Sequence, residues 1–140
     1  MKRAIAFALS VAALPLAGAA AVPANPVLGI WMNPHKSVAV EVAPCGEKLC
    51  GRVVWASSQA IEDARSSGVD RLIGTELLEN YSPRSDGSWS GHVFVPDLGG
   101  RFASTIIVVG PDTLRISGCM LGGLICKGQL WQRYTGRPGG

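Results

Sequence analysis

Apolar and polar positions alternate along most of this chain in short runs. Val38, Val40 and Val42 alternate with Ala39, Glu41 and Ala43 within a stretch from Ser37 to Ala43. Leu49 to Ala56 follows as the second arm of a hairpin. Later, Trp89, Gly91, Val93 and Val95 alternate with Ser90, His92 and Phe94. Arg101 to Val109 is dense in β-branched residues, and Thr113 to Cys119 and Lys127 to Tyr134 complete the series. A period of two predicts strands. Gly29-Ile30-Trp31 opens the series, and Leu72 to Leu78 is read as a further strand. Turn residues punctuate it at Asn33-Pro34, Gly46, Ser82 to Ser88, Pro96 to Gly100 and Gly110-Pro111-Asp112. One segment reads as a helix. Ser57 or Ser58 can cap it, Ala60, Ile61 and Ala64 give it a thin apolar face, and Gly68 can stop it.

About seven or eight short strands suit a sandwich or a barrel. Consecutive hairpins without long crossovers favour an up-and-down meander. The fold class expected is therefore all-β: an antiparallel barrel of about eight strands with one short surface helix. Its interior is either filled or holds one small ligand.

The first residues follow a different rule. Lys2-Arg3 precedes an apolar run from Ala4 to Leu16, and small residues around Ala19 to Ala21 offer a cleavage site. Residues 1–21 read as a Sec-type secretory signal, so the chain is expected in the periplasm or outside the cell. Residues 22–28, with two prolines, read as an extended leader, 29–134 as the domain, and 135–140 as a disordered tail. Setting aside Lys2 and Arg3, 11 basic residues face 10 acidic ones, a net charge of +1. The basic residues are scattered, which gives nucleic acid no footprint, and no transmembrane segment is expected in the mature chain.

Cys45, Cys50, Cys119 and Cys126 all follow the signal. An even count in an exported chain points to disulfides, with local pairing of Cys45 with Cys50 and Cys119 with Cys126 as the reading. A four-cysteine zinc site is the alternative. The C-x4-C and C-x6-C spacings and the oxidising compartment weigh against it, and neither spacing is that of a C-x-x-C redox pair.

Gly29-x-Trp31 on the first strand and Trp131-x-Arg133 on the last become neighbours if the meander closes. An arginine there can lie on an indole face and seal one end. This pattern resembles the structural signature of lipocalins and the wider calycin group, which implies a closing role for Gly29, Trp31 and Arg133. The resemblance sharpens along Val-x-Val-x-x-Cys45-Gly46-x-x-Leu49-Cys50-Gly51-x-Val53-x-Trp55, then Trp89-x-Gly91-x-Val93-x-x-Pro96, Leu114-x-Ile116-x-Gly118-Cys119 and Trp131-x-Arg133. In order and spacing these residues resemble the DUF2147 family of small secreted bacterial proteins. The resemblance implies a lipocalin-like barrel and supplies no catalytic residues. Many members carry an Asp/Asn/Pro-rich segment after the second strand; here that region is Ser66 to Arg71.

Reactive groups are sparse. His35 and His92 are the only histidines, no Gly-x-Ser-x-Gly is present, and adjacent Glu62 and Asp63 cannot face one substrate from a helix. No catalytic residue, cofactor or metal is expected. A third reading, an enzyme using His92 with a nearby carboxylate, stays open. The four tryptophans read as core packing or as the lining of an apolar pocket. For the pocket, the expected ligand-binding residues are Trp55, Trp89, His92, Phe102 and Ile106. Leu121 to Ile125 is either a cap on the barrel or an exposed apolar tip. The leading functional expectation is a non-enzymatic envelope protein that binds a small apolar or amphipathic molecule or lipid. The alternative is a periplasmic interaction or structural module with a filled barrel and an envelope protein partner.

Overall fold

The computed structural model describes residues 8–15, 18 and 25–136. The strands are β1 (Gly29–Met32), β2 (Val38–Cys45), β3 (Lys48–Ala56), β4 (Glu76–Pro83), β5 (Trp89–Val95), β6 (Gly100–Gly110), β7 (Thr113–Met120) and β8 (Ile125–Arg133). Each pairs antiparallel with the next, and β8 returns to β1 through Trp31 opposite Arg133, so the eight strands close a barrel in chain order. Among the described residues the one α-helix, α1 (Ser58–Ser66), joins β3 to β4. Most of the expected signal segment and its cleavage region lie outside the described residues, as do residues 22–24 of the leader and 137–140 of the tail. Within residues 8–15 no regular structure forms, and Leu9, Val11 and Leu14 are exposed.

Alternation decides what fills the barrel. Val40 and Val42 on β2, Val53 on β3, Ile106 on β6, Leu114 and Ile116 on β7 and Trp131 on β8 are buried in one core cluster. A bulge in β4, with Asn80 at φ 52°, inserts one residue between the Glu79–His92 and Ser82–Ser90 pairs. The bulge lets Leu78 and Tyr81, three residues apart, both join the core. The Tyr81 hydroxyl lies 2.7 Å from the Ser104 hydroxyl, which satisfies both polar groups inside an apolar core.

Two boundaries differ from the sequence reading. The strand expected over 72–78 starts at Glu76 and runs to Pro83. Gly74 takes φ 93° in a turn closed by Thr75 N–H donating to the Leu72 carbonyl, so the chain cannot extend until after it. The described part of the leader, residues 25–28, folds into a turn rather than staying extended. Asn25 Oδ1 accepts from Val27 N–H, and Leu28 N–H donates to the Asn25 carbonyl. That is an Asn-Pro turn, and it drives Val27 to complete burial under the barrel.

α1 is better anchored than its thin apolar face suggests. The Ser57 side chain accepts from Ala60 N–H at its start. At its end Val69 N–H donates to Ala64 and Gly68 N–H to Arg65, the paired bonds of a Schellman stop. Ala64 is 1% exposed and belongs to the core, with Ala60, Ile61 and Val69 packed against it.

Candidate functional site

The two ends of the barrel are built differently. One end carries the β2–β3, β4–β5 and β6–β7 turns together with the leader. Here Arg133 Cζ sits 4.3 Å from the centre of the Trp31 ring. Its guanidinium donates to the carbonyls of Leu28 at 2.8 Å and Pro26 at 2.9 Å, and lies 3.3 Å from the Asp112 carboxylate. Trp31 Nε1 donates to the Val27 carbonyl at 2.9 Å. A Cβ on Gly29 would stand 2.7 Å from Arg133 Nη1, and φ is 123° there. Glycine is thus favoured both by the backbone and by the arginine. This end is sealed.

The other end carries the β1–β2, β5–β6 and β7–β8 connections and α1, and it opens into a cavity of about 510 Å3. Leu78, Val93, Phe102, Ile116 and Trp131 give it apolar walls, and Met120 and Ile125 continue them to the rim. α1 contributes Gln59, Ala60, Asp63 and Ala64 to one side of the mouth, and Asn33, His35, Ser37 and Asp97 complete its polar edge. Lys127 and Gln129 line the β8 wall. Their Cα partners are Gly118 and Ile116, on the same face of the sheet as Trp131 opposite Leu114. A volume of this size is typical of sites for small organic ligands.

Of the residues expected to bind ligand, the structure brings only Phe102 to this cavity. Ile106 points inward but lies deeper, 1% exposed within the packed core. Trp89 packs against that core near the sealed end and pairs with Pro83. Trp55 is half-buried opposite Ala39, beside a bulge in the β2–β3 pairing, and lines no part of the cavity. His92 is exposed on the outer face, the face opposite Val93. Its cross-strand neighbour is Glu79, whose carboxylate accepts from Arg101 Nε at 2.8 and 3.1 Å. Arg101 also lies over the Phe94 ring at 4.9 Å. No hydrogen bond joins His92 to Glu79 among the described residues.

His35, Lys127 and Gln129 were missed by sequence reasoning. For the β8 pair a signal existed. Counting back by twos from Arg133 places Trp131, Gln129 and Lys127 on one face.

The cysteines form two disulfides, Cys45–Cys50 and Cys119–Cys126. The first bridges the two-residue turn of β2–β3 diagonally at the sealed end. The second joins directly opposed residues at the open end. Glu76 approaches the first pair, with its carboxylate and both sulfurs within 4.8 Å of one another. Sulfurs tied in a disulfide have no thiolate to offer a metal. The Leu121–Gly123 turn between β7 and β8 projects as an apolar tip, with Leu121 69% and Leu124 85% exposed.

The family described as "Uncharacterized protein conserved in bacteria (DUF2147)" matches residues 29–133, from the start of β1 to the end of β8. The chain belongs to the DUF2147 family. That match begins at the glycine and ends at the arginine that seal the barrel, so the DUF2147 unit and the closed sheet coincide. Neither the curated proteins nor the solved structures contain a match.

Proposed function

We propose that this DUF2147 protein is an exported, non-catalytic carrier or sensor that holds one small apolar or amphipathic molecule in its barrel. The observation that carries the reading is the cavity itself: about 510 Å3, sealed below by Arg133 and Trp31, walled by apolar side chains and open at the α1 end. Burial of about 400 Å2 of apolar ligand surface contributes about 10 kcal/mol. Association costs of roughly 4 kcal/mol or more leave affinities near tens of micromolar. Both disulfides fit an oxidising compartment. Among the described residues no helix is long and apolar enough to cross a membrane. A periplasmic or secreted setting is part of the proposal. Native mass spectrometry of protein isolated from its own cell envelope tests the reading. A retained lipid-sized adduct is expected, and a clean apoprotein across gentle preparations would count against it.

A second reading draws on the exposed Leu121 and Leu124 and on Leu98, 66% exposed, in the neighbouring β5–β6 connection. These side chains give an interaction module a working surface beside the mouth. Under that reading, replacing Leu121 and Leu124, which do not line the cavity, by serine abolishes partner capture in crosslinking yet leaves ligand retention intact.

A further inference from the structure

Among the described residues that line the cavity, Lys127 is the one lysine or arginine, and its side chain is solvent-exposed at the open end. It lies on β8 between Ile125 at the rim and Gln129 below, opposite Gly118 on β7. Glycine at that partner position puts no side chain between the ammonium and the cavity. Among the described residues, Lys127 makes no hydrogen bond or ion pair. The carboxylates that line the cavity, Asp63 and Asp97, sit elsewhere on the rim. Asp63 is on α1, where its Oδ1 accepts from Gln59 Nε2 at 2.8 Å, and Asp97 is in the β5–β6 turn that touches α1. In chain order around the barrel β8 lies across from β4, and α1 leads into β4. Asp63 therefore enters the mouth from the β3–β4 side, across from β8, and Asp97 from the β5–β6 side between them. His35, on the β1–β2 connection, is the other titratable group in the lining.

We propose that the cavity selects an amphipath with an anionic head, a carboxylate or a phosphate, seated against Lys127 with Gln129 as a second donor. This rests on the reading of the cavity as a ligand site. The carboxylates of α1 and the β5–β6 turn repel such a head from their side and so fix its orientation. The tail runs down the β8 wall toward Trp131. Four residues of strand separate Lys127 from Trp131, roughly 13 Å at about 3.3 Å per residue, which suits a medium-length chain. An ammonium paired with a ligand anion in a half-wet cavity gives a charge-assisted bond that strengthens with the exclusion of water.

Isothermal titration of the disulfide-intact protein at low ionic strength with dodecanoate, dodecanol and dodecyltrimethylammonium tests this. Dodecanoate is expected to bind roughly 3- to 10-fold more tightly than dodecanol. Lys127→Gln should erase that preference, Lys127→Arg should keep it, and added salt should shrink it. Equal binding of acid and alcohol, or a preference that survives Lys127→Gln, overturns the anionic head while leaving the apolar cavity standing. Tightest binding of the cationic amphipath overturns it in favour of Asp63 and Asp97. No binding of any of the three overturns the cavity reading as well. Dodecyl phosphate, compared with dodecanoate, separates a phosphate head from a carboxylate.

Discussion

Arg133 contributes through its shape as much as through its charge. Its fork reaches two backbone carbonyls of the leader and one face of Trp31. A lysine keeps the charge but cannot make those bonds together. Arg133→Lys is expected to destabilise the protein by about 2 kcal/mol, read from urea unfolding, because carbonyls near the floor lose their donors. Arg101→Ala is the control. The Arg101 side chain is 62% exposed, and loss of its pair with Glu79 should cost about 1 kcal/mol or less. Gly29→Ala should cost about 1–3 kcal/mol, since an added Cβ meets the guanidinium on a backbone already at positive φ. Tyr81 adds a pH dependence. Burial raises its pKa from 10.0 to about 12, with Ser104 opposing the shift and Glu79 adding to it. A native state that holds this proton more tightly than the unfolded chain has its full contribution below pH 10. It loses that contribution as pH rises from 10 toward 12. Tyr81→Phe should flatten that part of an alkaline stability profile, at a cost near neutral pH of about 1–2 kcal/mol from the orphaned Ser104 hydroxyl.

At the scale of elements, strands with clean alternation and glycine-marked turns were legible. β5 shows this in part: Val93 lines the cavity and His92 is exposed as the alternation requires, while Phe94, on the His92 face by the count, packs against the core and borders the cavity. β4 was not legible, because its start depends on the backbone at Gly74 and its inner face on a bulge at Asn80. Neither leaves a period-two trace. The closing pattern of Gly29, Trp31 and Arg133 was readable because it needs only two strands to meet. What residues 25–28 do beneath it was not, since Val27 is held there by the Asn25 turn and by its carbonyl accepting from Trp31 Nε1, contacts that leave no periodic trace. α1 looked like a loose surface helix, yet Ser57, Gly68 and Ala64 tie it to the mouth. Ser57→Ala should lower stability by about 1 kcal/mol. It should also speed amide exchange in α1 ahead of the strands, since the helix is held by its cap and a narrow apolar contact.

The whole molecule is a barrel with one end sealed and one end open, and the open end is where sequence reasoning fell short. Which inward residues fill space and which border a void depends on summed side-chain volumes at each level of the barrel. Ile106 and Phe102 illustrate the difference. Both face inward on β6, four residues apart, and only Phe102 reaches the cavity. Trp89 packs against the core cluster, whereas Trp55 is half-buried outside it and borders no part of the cavity. The polar residues of β8 were overlooked because a strand with Lys127 and Gln129 on one face reads as solvent-facing. Here that face looks into a wet cavity. The most direct test of the ligand-binding account is titration of dodecanol into the wild-type protein and into Val93→Trp, whose indole would project into the cavity from β5. Saturable binding at one molecule per chain is expected for the wild type, with at least a tenfold loss in Val93→Trp and little change in its melting temperature. Absence of saturable binding, or equal binding by the two proteins, would contradict the account.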